Sequence, residues 1–259
     1  MQQGEEYDEA MVAALELLWG EGFLSPGGPA EVAEILKGTS IAGKFVLDIG
    51  CGIGGIDLLL AEVYGAAQVI GIDIEAPNIA LASRRAAQRN IADRVSYRLV
   101  EPGPLPFPDA SFDVVFSKDA MIHIAEKEAL FRDVFRVLKP GGLFLASDWL
   151  RGDDEPASAA MQRYVSLEGL SFAMASPARY EKAMAAAGFT AIEIGDRNAW
   201  YHATAQHELT QIQGPLHQRL VDLVGVSETD RQTQVWEAMI AVLKSGELRP
   251  THLKAKRLA

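Results

Sequence analysis

The sequence predicts an α/β fold in which a doubly wound, mostly parallel sheet carries helices on both faces. Three observations predict it. From residue 44 onward, short apolar runs of strand length alternate with segments of helical period, the pattern of repeated βαβ units. A glycine cluster, Gly50-Cys51-Gly52-Ile53-Gly54-Gly55, separates the first run from the first helix of that series. The second run, Gln68 to Asp73, ends in a carboxylate 25 residues after Asp48.

Taken in order, residues 7–20 repeat apolar positions at helical spacing, with Met11, Leu15, Leu18 and Trp19 on one face. Glu21 to Pro29 carries two prolines and three glycines and reads as a loop. A helix over 30–38 follows, so residues 1–40 form a helical segment placed to lie as a lid over the glycine turn. Strands are expected at 44–49, 68–73, 94–99, 112–117 and 142–148, and helices at 55–64, 77–90 and 126–138. Together they make a core over residues 41–150. Lys139-Pro140-Gly141-Gly142 stops the last of these helices.

The part from 151 to 259 opens with a polar loop, then a helix to about 172 inserted as a cap. Ser176-Pro177 starts a helix that Gly188 closes. A strand at 189–197 and helices at 205–224 and 228–244 complete the chain, the first of these with Leu209, Ile212, Leu216, Leu220 and Leu223 on one side, the second capped by Ser227. With no repeat or clear linker, a single domain over 1–259 is expected.

The bulk numbers exclude some function classes. A chain of 259 residues, 49% hydrophobic, supports a large core. A net charge of −11 disfavours a nucleic-acid partner, which wants a basic face. No apolar run approaches the ~20 residues of a membrane helix, and the acidic start lacks the pattern of a signal peptide. A cytoplasmic protein is expected, with no membrane or nucleic-acid partner; oligomeric state is not legible. The lone Cys51 excludes an internal disulfide and suits the small-residue turn. His202, His207, His217 and His252 lack metal-ligand spacing, so no metal site is expected.

The ligand chemistry turns on two carboxylates. Asp73, at the end of the second strand, is placed to accept hydrogen bonds from both hydroxyls of a ribose. That suits a nicotinamide dinucleotide and S-adenosylmethionine alike. Asp48 separates them. It stands just before the glycine turn, where it would repel a pyrophosphate that needs a bare helix N-terminus. S-adenosylmethionine has no phosphate and brings an ammonium and a sulfonium.

With these residues in view, the chain resembles the class I methyltransferases. The likeness runs from Asp48 to about Trp149 and rests on Val46-Leu47-Asp48-Ile49-Gly50-Cys51-Gly52, Gly71-Ile72-Asp73, Phe112-Asp113-Val114-Val115-Phe116-Ser117 and Val137-Leu138-Lys139-Pro140-Gly141-Gly142. It implies a Rossmann-like, seven-stranded sheet whose last strand is antiparallel, with S-adenosyl-L-methionine at the strand ends. By that resemblance Asp48, Gly50, Gly52, Asp73 and Ile74 bind the cofactor, and Glu101 sits near the adenine.

More of the chain is similar to the single-domain phosphoethanolamine N-methyltransferases, through Tyr7, Glu21-Gly22-Phe23-Leu24-Ser25-Pro26-Gly27-Gly28 and Ser117-Lys118-Asp119-Ala120-Met121-Ile122-His123. The resemblance implies that Tyr7 and His123 latch the lid and serve the reaction, and that Asp119 contacts the substrate amine. It also implies that Leu24, Ser25 and Lys118 line the cofactor. An ammonium has no lone pair, so the amine must lose a proton before it attacks; a histidine with a pKa of ~6.5 suits that task. Trp149 and Tyr164 offer aromatic faces to a methylated ammonium.

One departure bears on substrate. That family clamps phosphate with a tyrosine, an arginine four residues later and a second tyrosine two beyond. Here the positions hold Tyr164, Glu168 and Leu170. A glutamate repels a phosphate dianion that an arginine would hold in a bidentate pair. Arg163, Arg179 and Lys244 are the cations left to compensate. The expected substrate is therefore a small amine with an altered phosphate pocket. Methyl transfer to oxygen, sulfur or carbon on the same fold stays open, as do a dinucleotide-linked oxidoreductase and a catalytically silent binding module.

Overall fold

The computed structural model describes residues 8–259. Seven strands form one sheet in the order β3-β2-β1-β4-β5-β7-β6. Strands β1 (Phe45–Ile49), β2 (Gln68–Asp73), β3 (Val95–Leu99), β4 (Phe112–Lys118) and β5 (Leu138–Arg151) run parallel. Strand β7 (Leu248–Lys256) lies between β5 and β6 (Thr190–Asp196) and is antiparallel to both. The sheet thus reverses its strand order beside β1, and the C-terminal ends of β1 and β4 meet at the crevice where ligands of open α/β sheets bind.

The central strands are apolar because both of their faces are covered. On one face α5 (Lys127–Val137) and α7 (Pro177–Ala187) pack Leu130, Phe131, Val134 and Tyr180 against Leu47, Val115 and Phe144. On the other, α2 (Gly28–Ile35), α3 (Gly55–Glu62) and α4 (Ala76–Gln88) cover Val46, Val69, Val114 and Leu145. A third apolar cluster forms above the strand ends. There α1 (Glu9–Trp19), α6 (Ala159–Glu168), α8 (Asn198–Gln213), α9 (His217–Val224) and α10 (Val226–Ser245) bury Ala14, Tyr164, Tyr201, Trp236 and Leu243. The cap is therefore built from α6 and from the three helices that follow β6.

Several boundaries differ from expectation. The helix expected at 205–224 begins at Asn198 and breaks into α8 and α9, because Gly214 takes a non-helical conformation (φ −127, ψ −108) just before Pro215. Leu223 accordingly is 40% exposed and off the apolar face. Ser227 lies inside α10, whose N-cap is Gly225. Strand β5 starts at Leu138, and its register against β4 shifts between Phe112 and Val114, so the Lys139–Gly142 turn is an irregularity within the strand. Strand β7 was expected only from the strand count of the resembling family. Its alternating Lys, Arg and His hide a strand whose faces differ, with Leu248, Leu253 and Ala255 buried. The caps of α7 hold as expected: Ser176 accepts from Arg179 N, and Gly188 is left-handed. Among the described residues no helix is long and apolar enough to cross a membrane.

Candidate active site

The glycine turn is fastened to the sheet before it offers anything to a ligand. The N–H groups of Gly50 and Cys51 both donate to the Ile72 carbonyl (2.9 and 3.0 Å). Gly50 has φ +74, and a Cβ there would overlap that of Ala120, so no larger residue fits. Asp73 faces the turn from the end of β2. Its Oδ2 accepts from Gly52 N (2.8 Å) and its Oδ1 from Glu75 N (2.9 Å). The side chain of Asn78 and the backbone of Ile74 bond the same carboxylate, and burial raises its pKa. Beside it Ile74 is 53% exposed, and Leu99 at the end of β3 is 48% exposed. Large aliphatic side chains left in water at adjacent strand ends suit a flat aromatic ligand laid across them. Glu101, farther along that edge, is exposed.

Beneath the turn lies an acid the sequence reading passed over. Asp57, in the first turn of α3, is wholly buried, as is Asp48. None of their four carboxylate oxygens has a hydrogen-bond donor among the described residues. Burial raises Asp48 to about 7, with the charge of Asp73 adding to the rise. Burial likewise holds Asp57 well above the usual carboxylate range, and the charge of Asp48 adds to it. Nothing in the motif pattern distinguishes Asp57 from a helix-capping acid; only the packing reveals it.

The lid lies closed on this cradle. The Gly22 carbonyl accepts from Gly55 N (3.2 Å), and Leu24 stands against Gly52, 3.3 Å from where a Cβ would be. Three polar anchors hold α1 and α2 down. Glu16 pairs with Arg85 (2.6 Å). Glu208, buried on α8, accepts from the indoles of Trp19 (2.8 Å) and Trp236 (2.9 Å). Glu31 is bonded by Arg197 (2.5 Å) and His252 (2.6 Å). Burial works to raise Glu31, but the bonds from His252 and Arg197 outweigh it and leave the carboxyl low.

Asp119 follows β4 directly and sits in the left-handed region (φ +59), a conformation Asp tolerates better than most residues and one that collects at functional sites. Its N–H donates to the Ser147 carbonyl (2.8 Å). Its Oδ1 accepts from Ser147 Oγ (2.9 Å), and its Oδ2 meets Lys118 Nζ at 2.5 Å. Lys118 Nζ also reaches Ser25 Oγ of the lid at 2.6 Å. Ser147 Oγ lies 3.4 Å from the hydroxyl of Tyr201, whose ring packs edge-on against Trp149 (4.9 Å between centroids).

His123 closes the short 3-10 turn Met121–His123 just beyond Asp119. Its Nδ1 is 3.0 Å from the Ser171 carbonyl. A carbonyl only accepts, so Nδ1 carries the proton and Nε2 keeps its lone pair. The His123 ring neighbours Phe172 (5.6 Å), which neighbours Tyr164 (6.3 Å). The Tyr164 hydroxyl bonds the Glu168 carboxyl, which burial raises above its ordinary range. Two arms therefore leave one turn: Asp119 through Ser147 to Tyr201 and Trp149, and His123 through Phe172 to Tyr164 and Glu168.

The structure thus brings together Leu24, Ser25, Asp48, Gly50, Gly52, Asp73, Ile74, Lys118, Asp119, His123, Trp149, Tyr164 and Glu168 at one end of the sheet. Tyr7 lies outside the described residues. The cation facing Glu168 is Arg231 of α10, and Arg179 is bonded to Glu128 (3.2 Å). Arg231 is itself held by Glu228 (2.6 Å) and the Leu167 carbonyl (2.6 Å). Tyr201 and Ser147 were missed because a tyrosine on a late helix and a serine within a strand carry no local signal.

Residues 41–214 match the family model described as a methyltransferase domain. The chain belongs to the methyltransferase family. This methyltransferase is 32% identical over 245 residues to a phosphoethanolamine N-methyltransferase of Triticum aestivum, covering 94% of this chain and 47% of that protein. The chain thus spans about half the length of the curated plant relatives it matches. It superposes with a TM-score of 0.89 on Haemonchus contortus phosphoethanolamine N-methyltransferase 2 in complex with phosphomonomethylethanolamine and S-adenosylhomocysteine, at 27% identity, covering 98% of this chain and 59% of that one. It is also 32% identical over 173 residues to erythromycin 3''-O-methyltransferase of Saccharopolyspora erythraea, covering 64% of this chain and 55% of that protein. S-adenosylmethionine is the cofactor of this methyltransferase fold, and the cradle fits it. Asp73 would hold the ribose and Ile74 would flank the purine, and the buried acids beneath the turn suit a ligand that brings positive charge and no phosphate.

Proposed function

We propose that the chain is an S-adenosylmethionine-dependent N-methyltransferase of a small amine whose far end is neutral or cationic. One observation carries this: a carboxylate, Asp119, and an imidazole with a free Nε2, His123, stand on one turn at the edge of the cofactor cradle. A carboxylate is what holds an ammonium, and the lone pair beside it is what takes the ammonium's proton. Relatives named as phosphoethanolamine N-methyltransferases support the nitrogen acceptor.

The methyl donor, when bound, supplies an electrophilic methyl group on a sulfonium. The residues do the rest. Asp119 orients the amine, and positioning provides much of the rate of such a displacement. His123 Nε2 accepts the proton, while the Ser171 carbonyl holds the tautomer through Nδ1. The lid loop Gly20–Gly27 shields the reacting atoms from water through its contacts with Gly55, Gly52 and Lys118. Trp149 and Tyr201 give the acceptor an aromatic wall.

Glu168 sets the far end. Its carboxyl, desolvated and bonded by Tyr164, accepts a hydroxyl or an ammonium and repels a phosphate. The test is a screen of ethanolamine, phosphoethanolamine, glycine, sarcosine and short diamines, following release of S-adenosylhomocysteine. Ethanolamine or a diamine is expected to exceed phosphoethanolamine in kcat/KM by about tenfold or more, since unpaired like charge costs that much. Glu168→Gln is expected to narrow the gap. Efficient turnover of phosphoethanolamine that Glu168→Ala abolishes would refute the proposal. Turnover of hydroxyl acceptors alone would favour the alternative, O-methylation, to which the erythromycin relative points.

A further inference from the structure

We propose that the methyl donor unmasks the amine site by taking Lys118 away from Asp119. The proposal rests on the assignment of Asp119 to the amine, made above, and adds a coupling that the assignment does not require. Both oxygens of Asp119 are engaged. Its Oδ2 meets Lys118 Nζ at 2.5 Å, and its Oδ1 accepts from Ser147 Oγ at 2.9 Å. The side chains are 0% and 3% exposed, so water does not screen the pair. Its charge is cancelled at contact distance, and a second ammonium arriving at Asp119 would meet Lys118 instead of a net attraction.

An amine therefore gains Asp119 only when Lys118 is given another anion. Lys118 is well placed to accept one. Its ammonium bridges from β4 to Ser25 in the lid, along the rim of the glycine turn, and Ser25 Oγ adds a second donor or acceptor 2.6 Å away. Glu208 also feels the charge of Lys118, but both of its oxygens are already bonded by Trp19 and Trp236. The anion that arrives with the reaction is the α-carboxylate of the donor's amino-acid end. When it binds Lys118 and Ser25, the buried pair becomes two new pairs, donor carboxylate with Lys118 and substrate ammonium with Asp119. No charge is left unpaired in the closed site, which is the costly alternative. Binding of donor and amine is then cooperative, and by linkage equally so in both directions.

The experiment is calorimetric titration of ethanolamine, and separately phosphoethanolamine, into the full chain. Each is titrated into the protein alone, with saturating S-adenosylhomocysteine, and with saturating 5′-deoxy-5′-methylthioadenosine, which keeps the nucleoside and thioether but lacks the amino-acid end. The better-binding amine is expected to bind about tenfold tighter or more with S-adenosylhomocysteine, within the usual range of coupling. Methylthioadenosine is expected to leave its affinity within about twofold of the protein alone. Lys118→Met is expected to bind the amine tightly without any nucleoside. Equal affinity with and without S-adenosylhomocysteine overturns the exchange, as does an equal effect of the two nucleosides; neither outcome depends on a variant that must fold. Two other results instead sink the assignment of Asp119: Asp119→Asn binding the amine as tightly as the unaltered protein in the S-adenosylhomocysteine complex, or neither amine binding that complex at all.

Discussion

Asp48 and Asp57 are the residues whose physics is least ordinary. Two carboxyls with no donors, side by side in the interior, cannot both ionise without large cost, so they hold a proton between them at neutral pH. The sign of the consequence follows from the direction of the shift. An acid raised to about 7 binds more protons in the folded chain than in the unfolded one, between its ordinary pKa and its raised one. Its contribution to stability is therefore lost as pH rises through that window. Asp57→Asn supplies a donor to Asp48 and removes its like-charged neighbour. Thermal denaturation of donor-free protein is expected to show this variant more stable than the unaltered chain at pH 8, with a flatter dependence from pH 5 to 8. An unchanged slope would mean the two acids do not share a proton.

At the scale of elements, the Met121–His123 turn is held from below by a buried cage. Asp148 on β5 accepts from Ile122 N (3.0 Å) and from the Tyr180 hydroxyl of α7 (2.5 Å). Lys127, at the start of α5, donates to the carbonyls of Met121 and Ile124 (2.6 Å each). Burial raises Asp148 to about 7 and lowers Lys127 to about 8. Three elements thus converge on the backbone that carries His123, and they position it without touching a reactant. Tyr180→Phe leaves one buried carboxylate oxygen without its donor, at a cost of about 1–3 kcal/mol. The cost is expected to be larger at pH 8 than at pH 6, because Asp148 needs that donor most when ionised; urea unfolding at the two pH values measures it. A pH-independent cost would place the Tyr180 bond on the neutral acid.

The same scale shows what was legible in the chain. Apolar runs and turn residues located β1, β2, β3 and β4 within about a residue; β1 and β4 are buried on both faces and read as continuous apolar patterns, whereas β3 lies at the sheet edge and is largely exposed. The strand–turn–helix and the carboxylate of Asp73 marked the cofactor side because local geometry demands those residue types locally. The cap was less legible. Its helices meet each other across long separations, as with Trp19 and Trp236 on Glu208, and no periodicity shows which faces meet. Strand β7 eluded the pattern because polar residues line one side of it. Asp57, Ser147 and Tyr201 became visible only through packing.

Across the whole molecule, two halves with different tasks meet at one edge of the sheet. The β1–β4 half makes a rigid cradle for a donor. The lid is joined to the body by Glu31 and Glu16 and to the cap by Glu208. In the proposed reaction a methyl group passes between the halves, and its destination decides the function. The most direct measurement is transfer from S-adenosylmethionine labelled with 13C in the methyl group to ethanolamine and to short diamines, followed by NMR. A resonance from 13CH3 bound to nitrogen is expected, formed about 100-fold more slowly or worse in His123→Ala, the usual loss on removing a general base. Label on oxygen, sulfur or carbon with none on nitrogen would contradict the assignment of Asp119 and His123 to an amine.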